Sequence, residues 1–449
     1  MAGVCVMSRL RPTFIDLFSG CGGLSLGLME SGWRGLFAIE QSPDAFKTLK
    51  YNLIDKKKAN QENPRFDWPG WLHKEPQEIA AFLDNHRSKL KELRGKVQLV
   101  AGGPPCQGFS FAGKRSGDDP RNELFKYHLS VVDILKPELV LMENVQGIDI
   151  AFGIGKNKKE RPKSFASHIR DILAGHDYEI QQHVLRACDF GVPQFRPRYF
   201  TLGIRLDLLG RQAPPCLKTS LYQIREKFLR QRGLPQDRPV TVAEALSDMA
   251  TADRMLVDCL DEESAPGFKE IVYGGPQTDY QRLMHGNKNG ASPNSLRLVN
   301  HRPETIARFQ QILDTCRKGV QLSGGDRERL GIKKTAIVPL APDQPSHTLT
   351  TLPDDLLHYA EPRVHTVREH ARLQSFPDWF AFCGKYTTGG GKRAQECPRY
   401  TQVGNAVPPL LAEVIGEVLY TIFRSLSKKT RNTACGVRCA MCDRCGSTY

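Results

Sequence analysis

The chain has 449 residues, 40% hydrophobic and 25% charged, which is enough for two or three domains with a sizeable core. Its formal net charge of +14 suits a polyanionic partner such as nucleic acid, although a need for solubility would also explain it. No apolar run approaches the ~20 residues of a membrane span, and residues 1–11 contain no signal-peptide core. The 13 cysteines, an odd number and mostly scattered singly, favour a reducing compartment. We therefore expect a cytoplasmic protein without a membrane partner.

Residues 13–205 alternate between strand and helix patterns. Strands are predicted over 13–18, 35–40, 97–101, 139–142, 183–187 and 199–204. Helices are predicted over 24–30, after the cap Ser42-Pro43, and around 125–132. Continuous apolar runs are typical of parallel strands covered on both faces, so this order predicts a doubly wound α/β fold.

From about residue 206 to about residue 340 this alternation is lost, and Pro, Gly and mixed charges dominate. A short helix is predicted over 366–374, a loop over 391–400, and a last helix from Pro408. Apolar residues on one face of that helix should cover the sheet: Leu411, Val414, Ile415, Val418 and Ile422. We expect a first domain over 12–205 completed by 400–427, a second over 206–399, and a Cys-rich basic tail over 428–449.

Cys106 lies in a turn rich in Gly and Pro, just past the end of a predicted strand. Open α/β sheets place their chemistry at strand ends, so this thiol is a candidate nucleophile. A small buried cysteine is the alternative. Residues 107–122 contain three glycines and several basic residues, which predicts a basic loop able to close on a phosphate backbone.

The first predicted strand is followed by a glycine-rich turn, residues 19–23, where a ligand could approach the backbone closely. Glu40 ends the second predicted strand 20 residues after Gly20, a spacing that suits a carboxylate binding a ribose diol. The sequence has no G-x-G-x-x-G and no Walker lysine, so a nucleoside without phosphates is favoured. S-adenosylmethionine is the common one, and a purely structural turn is the alternative.

Two further motifs carry charged groups at strand ends. Glu143 follows the apolar strand 139–142, where desolvation should raise its pKa and let it donate a proton at neutral pH. A cap or salt-bridge acid is the alternative. Arg196 and Arg198 stand at alternate positions before a strand, so they should point the same way and need acids or phosphates as partners. A surface arginine pair is the alternative.

Together these residues resemble the motifs of the DNA (cytosine-5)-methyltransferase family, in the family's order, over about 12–205 and 345–425. The resembling segments are 14–23 (cofactor), 104–107 (nucleophile), 143–145 and 194–198 (target base), and the C-terminal motifs 363–377 and 402–409. The resemblance implies a Rossmann-like S-adenosylmethionine-dependent methyltransferase domain with a smaller target recognition domain. It also implies a prokaryotic restriction–modification enzyme, monomeric and nucleoid-associated, with double-stranded DNA and a cognate restriction endonuclease as partners.

The resemblance assigns roles to individual residues. The implied catalytic residues are Cys106, Glu143, Arg198 and Arg196. The implied cofactor-binding residues are Phe18, Gly20, Gly22, Gly23, Glu40, Asp67, Pro104, Leu124 and Asn405. Ser110 and Arg121 are expected to clamp the phosphate of a flipped nucleotide. Two departures from the pattern are the unusual context of Asp67 and the presence of Gln41 where some members carry an aromatic residue.

The implied chemistry is attack of the Cys106 thiolate on C6 of cytosine, which makes C5 nucleophilic. Glu143 would hydrogen-bond or protonate N3, and Arg198 would hold O2. A tRNA-methylating member of the family and a catalytically inactive DNA-binding homologue are the alternatives. The motif 107–110 resembles the DNA enzymes, and intact Cys106, Glu143 and Arg198 argue against an inactive homologue.

Two questions stay open at the level of sequence. Candidates for contact with base edges within 206–345 are Arg225, Lys227, Arg230, Arg232, Arg282 and Lys288. The tail cysteines Cys435, Cys439, Cys442 and Cys445 are dense enough for zinc or an iron–sulfur cluster. The loop between their two pairs is short for a structural zinc site, so we expect no metal and a disordered tail.

Overall fold

The computed structural model describes residues 11–55, 65–105, 124–150, 164–210, 213–252, 254–286, 292–387 and 396–442, with side chains as far as Leu426. A six-stranded sheet forms its centre. The strands are β1 (Thr13–Leu17), β2 (Arg34–Ile39), β3 (Leu99–Gly102), β4 (Leu139–Val145), β5 (Tyr178–Arg186) and β6 (Pro197–Arg205). Their spatial order is β2-β1-β3-β4-β6-β5, and β1 to β4 run parallel. The α/β fold class is confirmed.

β6 runs antiparallel to both β4 and β5. Its first residues therefore lie beside the last residues of β4, because opposed strands bring opposite ends together. This places Arg198 opposite Val145 and diagonal to Glu143 on the same face of the sheet. The sheet thus joins two of the predicted motifs at one edge.

The helices are α1 (Gly23–Glu30), α2 (Pro43–Leu49), α3 (Ile79–Glu92), α4 (Leu124–Leu135), α5 (Phe165–Gly175), α6 (Leu217–Gln231), α7 (Val242–Leu246), α8 (Asp279–His285), α9 (Pro303–Thr315), α10 (Gly324–Arg329), α11 (Val367–Leu373), α12 (Arg399–Asn405) and α13 (Pro409–Cys442). Ser42 caps α2 as predicted, accepting a hydrogen bond from the backbone of Ala45. The predicted loop over 391–400 is wrong at its end, because α12 begins at Arg399; residues 388–395 lie outside the described residues.

Two apolar cores lie on opposite faces of the sheet, because successive strand side chains alternate in direction. Phe14 faces the core that contains α1 and α13, whereas Ile15 faces the core that contains α3 and α4. Coverage on both faces explains why β3 and the first four residues of β4 form continuous apolar runs.

The chain returns to the first core through α13, as predicted. Leu411, Val414, Ile415, Val418 and Ile422 are all buried, and Trp33 donates to the carbonyl oxygen of Gly416 at 3.0 Å. In the described part of the chain, Arg399–Leu426 is long and apolar enough by composition to span a membrane, but 67% of its apolar window is buried inside the fold. Such burial is typical of a core helix.

Regular structure continues into the region where the sequence predicted little. α6 and α9 lie there, and two hairpin strands, β7 (Leu256–Asp258) and β8 (Lys269–Ile271), form a separate small sheet. α6 packs on α13 and on β5 through Leu217, Leu221 and Phe228. The core therefore continues across residue 206, and the predicted domain boundary there stays a prediction.

A third, smaller core supports α9. Its members are Phe309, Ile312, Leu322, Ile337, Leu357 and Val364. It includes two short strands, β9 (Val338–Pro339) and β10 (Leu356–Leu357), which pair in parallel. Next to it lie the buried imidazoles of His358, His365 and His370, with ring centroids 5.5 and 5.7 Å apart.

Candidate functional site

The glycine-rich turn after β1 meets the end of β2, as the sequence predicted. One Glu40 oxygen accepts a hydrogen bond from the backbone N–H of Gly20 at 2.8 Å, and the other accepts from the N–H of Ser42 at 2.7 Å. Burial raises the pKa of Glu40, although these donors oppose the shift. Each oxygen keeps a second acceptor site, so the carboxylate can still accept from two ligand hydroxyls.

Backbone strain is concentrated in the same turn. Phe18 has φ 60°, a left-handed conformation that is uncommon for a non-glycine residue and is often found at functional sites. Gly22 has φ 99°, and a Cβ there would lie 2.7 Å from Leu49 Cδ1. A Cβ at Gly20, in contrast, would meet no atom within 4 Å. The turn is therefore tightly packed below Gly22 and open above Gly20.

Asp16 supports this turn from beneath, and the sequence analysis did not single it out. Its carboxyl is completely buried, with Oδ2 accepting from the Ser25 hydroxyl and Oδ1 without a partner among the described residues. Burial raises the pKa of Asp16 to about 7. The hydrogen bond between this carboxyl and Ser25 links the end of β1 to α1.

The second group of predicted residues lies where β3, β4 and β6 meet. Arg198 Nε is 3.0 Å from Glu143 Oε1, and both side chains are nearly buried. Burial raises the pKa of Glu143, while the Arg198 guanidinium opposes that shift. A Cβ on Gly103 would lie 3.2 Å from Glu143 Oε2. The start of the Gly-Pro turn thus passes directly beside this ion pair.

Asn144 fixes the course of that turn. Its amide donates to the carbonyl oxygen of Pro104 at 3.2 Å, inside the protein. Because Glu143 and Asn144 are consecutive, one strand end holds both the carboxyl and the backbone that leads to residue 106. Cys106, Ser110 and Arg121 themselves lie outside the described residues.

Arg196 is placed differently from the prediction. Its guanidinium is fully buried and donates to the carbonyl oxygens of Gly404 at 2.7 Å, Ala406 at 2.8 Å and Leu349 at 3.2 Å. Both terminal nitrogens of its guanidinium are therefore engaged inside the protein. Gln194 lies in the same network, where its amide donates to Gln374 Oε1 at 2.9 Å.

The network shapes the end of α12, at Asn405, and the loop that follows it to α13. Asn405 is exposed between the two carbonyls that Arg196 holds. The Val407 carbonyl oxygen next along the chain lies 2.3 Å from where a Cβ on Gly23 would be. The loop therefore packs on the first residue of α1, beside the glycine-rich turn. Leu124, at the start of α4, is half-buried against the other core.

Asp67 lies away from this arrangement, and its role in cofactor binding stays a prediction. Its backbone N–H donates to the carbonyl of Gly35, and its exposed carboxylate lies 3.3 Å from Arg34. Both contacts are at the start of β2, roughly 16 Å along the strand from Glu40. Gln77, whose N–H donates to the Glu40 carbonyl at 2.8 Å, borders the site instead.

Several predicted base-contacting residues make contacts inside the protein. Arg225 donates to the backbone carbonyls of Asp189 and Gln236. Arg232 pairs with Glu413 and with Glu417 and lies 3.5 Å from the centre of the Phe228 ring. Arg282 pairs with Asp279. Lys227 and Arg230 are exposed on α6, and Lys288 lies outside the described residues.

Metal binding by the tail is not tested by the structure. The side chains of Cys435, Cys439 and Cys442 lie beyond the described side chains, and Cys445 lies beyond the described backbone. Within the described ranges, no group of three or more His, Cys, Asp or Glu side chains could hold a metal ion. The tail prediction therefore stays a prediction.

Comparison with known proteins gives consistent matches over nearly the whole chain. The family model for C-5 cytosine-specific DNA methylases matches residues 12–421. The chain is 31% identical to the Type II methyltransferase M1.HphI of Haemophilus parahaemolyticus, covering 91% of this chain and 86% of that protein. It is 29% identical to the Type II methyltransferase M.DdeI of Desulfomicrobium norvegicum, covering 92% and 89%.

Solved structures show the same fold. A protein described as a candidate DNA modification methyltransferase from an E. coli prophage aligns with a TM-score of 0.59 at 24% identity, covering 92% of this chain and 100% of that one. The Dnmt2 methyltransferase of S. pombe aligns with a TM-score of 0.50 at 16% identity, covering 93% and 99%.

Proposed function

We propose that S-adenosylmethionine is the methyl donor of this chain, which belongs to the C-5 cytosine-specific DNA methylase family and is a DNA cytosine-5 methyltransferase. When bound, that donor supplies an electrophilic methyl group on a sulfonium centre. The open space above Gly20, the half-buried ring of Phe18 and the Glu40 carboxylate fit an adenosyl group. Glu40 would accept from the ribose hydroxyls, and Phe18 would pack on the purine.

The Glu143–Arg198 pair is proposed to bind the target base. The two side chains lie 3.0 Å apart at one strand end, next to the turn that leads to residue 106. A carboxyl with a raised pKa can give a hydrogen to N3 of cytosine, and a guanidinium can hold O2. Both groups would stabilise negative charge that develops as the ring is attacked.

Cys106 supplies the nucleophile in this proposal. Its sulfur forms a bond to C6 of the cytosine while N3 takes a hydrogen from Glu143, and the electron pair of the former C5–C6 double bond makes C5 nucleophilic. After C5 is methylated, a base removes the C5 proton, and the electrons that it leaves re-form the double bond and expel the Cys106 thiolate while N3 returns its proton to Glu143. The cytosine must leave the duplex stack for these contacts. Ser110 and Arg121 are proposed to bind its phosphate.

Arg196 and Asn144 act as positioning residues in this proposal. Arg196 holds the carbonyls on either side of Asn405, and that loop packs against the start of α1 beside the donor turn. Asn144 holds Pro104, two residues before the nucleophile. Pro104, Gly22, Gly23 and Asn405 would then form the walls of the donor site, with Leu124 at its border.

A covalent trap tests the chemistry. With S-adenosylmethionine present, duplex DNA that carries 5-fluorocytosine at the target should form an SDS-resistant adduct with the wild type, because fluorine at C5 cannot leave as a proton. Cys106→Ser should form none, whereas Cys259→Ser, a change on the β7–β8 hairpin, should form as much as the wild type. An adduct that persists in Cys106→Ser would refute the assignment.

The biological context is also proposed. Type II methyltransferases match about 90% of the chain, which supports a role in restriction–modification with a cognate endonuclease that recognises the same duplex sequence. We further propose a monomer acting on nucleoid DNA in the cytoplasm; light scattering would test the monomer. Parallel methylation of duplex DNA and tRNA tests the substrate, and preferential methylation of tRNA would overturn it.

A further inference from the structure

We propose that residues 317–336, here called the basic excursion, contact the DNA bases that flank the target cytosine. This inference rests on the proposed function and narrows the recognition region from 206–399 to one segment. The excursion contains six Lys and Arg and two Asp and Glu, a net charge of +4. The neighbouring hairpin segment 254–272 contains two Lys and Arg and five Asp and Glu, a net charge of −3. This negative charge makes it a poor surface for a phosphate backbone.

The excursion is joined to the catalytic edge of the sheet by a short chain of contacts. The carbonyl oxygen of Gly319 lies 2.8 Å from His347 Nε2, and the His347 ring lies 6.4 Å from the ring of Phe195. Phe195 precedes Arg198 by three residues. The excursion therefore begins within roughly 20 Å of the proposed target base, which is about six base pairs of duplex.

This connection is rigid. The backbone of Ser346 exchanges hydrogen bonds with Pro193 and Phe195, both at 2.9 Å, so that the segment beside His347 pairs with the residues leading into β6. Arg196 also donates to the carbonyl of Leu349. Base contacts made from the excursion would thus be held in a fixed position relative to Arg198.

The base of the excursion is anchored, while its outer side chains are exposed. Leu322 is buried in the third core, and the backbone N–H groups of Gly319 and Leu322 donate to the carbonyls of Pro339 and Ile337 at 2.8 and 3.0 Å. Arg317 and Lys333 are exposed and make no ion pair or side-chain hydrogen bond among the described residues. A loop with an anchored backbone and exposed Arg and Lys side chains is suited to binding DNA.

The available side chains match what base edges and phosphates offer. A free guanidinium such as that of Arg317 can bind guanine O6 and N7 together, and a free ammonium such as that of Lys333 can bind phosphate. Val320, 38% exposed between them in sequence, could contact a thymine methyl group. Lys318 and Lys334 are less available, because they bind the Tyr359 carbonyl and Asp354 and Asp355.

α3 offers a charge-matched control. Its Arg87 and Lys91 are exposed, and α3 packs on α4 in the core on the opposite face of the sheet from α13. The double variants Arg317→Ala/Lys333→Ala and Arg87→Ala/Lys91→Ala each remove one Arg and one Lys from exposed positions. Their unfolding curves should match that of the wild type, since none of the four side chains makes an ion pair or side-chain hydrogen bond among the described residues.

The test combines salt dependence with methylation context. On duplex DNA carrying the sequence that the wild type methylates, the excursion double variant should lower the slope of log Kd against log salt by about 1, because the phosphate contact of Lys333 is lost, whereas the α3 double variant should leave it unchanged. Bisulfite sequencing of plasmid from cells expressing Arg317→Ala should show relaxed sequence context at one position. An excursion variant with unchanged slope and unchanged context would overturn the inference. A wild type that leaves plasmid cytosines unmethylated would instead count against the proposed function.

Discussion

Lowering the pH from about 7 to about 5 should destabilise this protein by several kcal/mol, because four buried histidines cannot accept protons in the folded state. His128, His358, His365 and His370 are fully buried, and burial lowers the pKa of each to about 3. Neither ring nitrogen of His128, His365 or His370 has a hydrogen-bond partner among the described residues. Protonation would therefore leave an unpaired charge in the core.

The size of the effect follows from the unfolded state. An unfolded histidine with an ordinary pKa of about 6.5 gains about 2 kcal/mol of proton binding between about pH 7 and about pH 5, while the folded one gains almost none. Four such groups give about 8 kcal/mol. Because the folded pKa of these histidines lies below the unfolded pKa, protons bind preferentially to the unfolded state. The free energy of unfolding therefore falls as the pH drops below about 6.5.

Asp16 acts in the opposite direction. Its folded pKa of about 7 lies above that of an unfolded aspartate, so the folded state takes up a proton as the pH falls towards 5. This proton uptake raises the free energy of unfolding by about 2 kcal/mol between about pH 7 and about pH 5. These five groups together therefore account for a loss of about 6 kcal/mol. The raised pKa of Glu30, about 7, and those of Glu40 and Glu143 offset part of this loss, because these carboxyls also take up protons in the folded state.

Urea unfolding, followed by far-UV circular dichroism at several pH values, measures this loss directly. His370→Phe removes one titrating group without adding a polar one, so its unfolding free energy should fall by about 2 kcal/mol less than that of the wild type over the same pH range. His73→Phe, at an exposed position, is the matched control and should behave as the wild type. Equal pH dependence in the wild type and His370→Phe would refute the reasoning.

Three substitutions test the site. Asn144→Ala should lower the rate of adduct formation about tenfold without changing KM for S-adenosylmethionine, because Pro104 loses its hydrogen bond; an unchanged rate would argue against a positioning role. Arg198→Lys should lower kcat by about 10²–10³ in methyl transfer assays, since an ammonium cannot both hold a base and contact Glu143 as the guanidinium does; activity near wild type would contradict this. Arg196→Met should cost roughly 3 kcal/mol in urea unfolding and raise KM for the methyl donor, because three carbonyls lose their donor; a change in kcat alone would point to direct catalysis instead.

The sheet and its two strand-end motifs were predictable because their physical causes are local in sequence. Continuous apolar runs marked β3 and β4, and glycines marked the turn after β1, where Gly20 and Gly22 have positive φ. The spacing of Gly20 and Glu40 also predicted their contact, since adjacent parallel strands bring their ends together.

Other features depended on contacts that no local pattern contains. Alternation placed Arg196 and Arg198 on one side, but the carbonyls that engage Arg196 come from residues more than 150 positions away along the chain. Asp67 was assigned from family order alone, and the fold places it beside the start of β2, at the opposite end of the strand from Glu40. α6 and α9 were missed although both sequences contain apolar residues at helical spacing, such as Leu217, Leu221 and Phe228 in α6. Cys106 remains predicted from sequence and from its described neighbours.

The packing of α13 against α1 has a consequence for how a cell acquires active enzyme. Trp33 and Gly416, which share a hydrogen bond, are 383 residues apart, so a ribosome needs on the order of 20–80 seconds to synthesise the chain between them. Until then the loop that packs on Gly23 does not exist. The nascent chain must therefore wait with α1 on one face of its sheet but without α13 packed against it, and the fold is complete only after translation has reached the last helix.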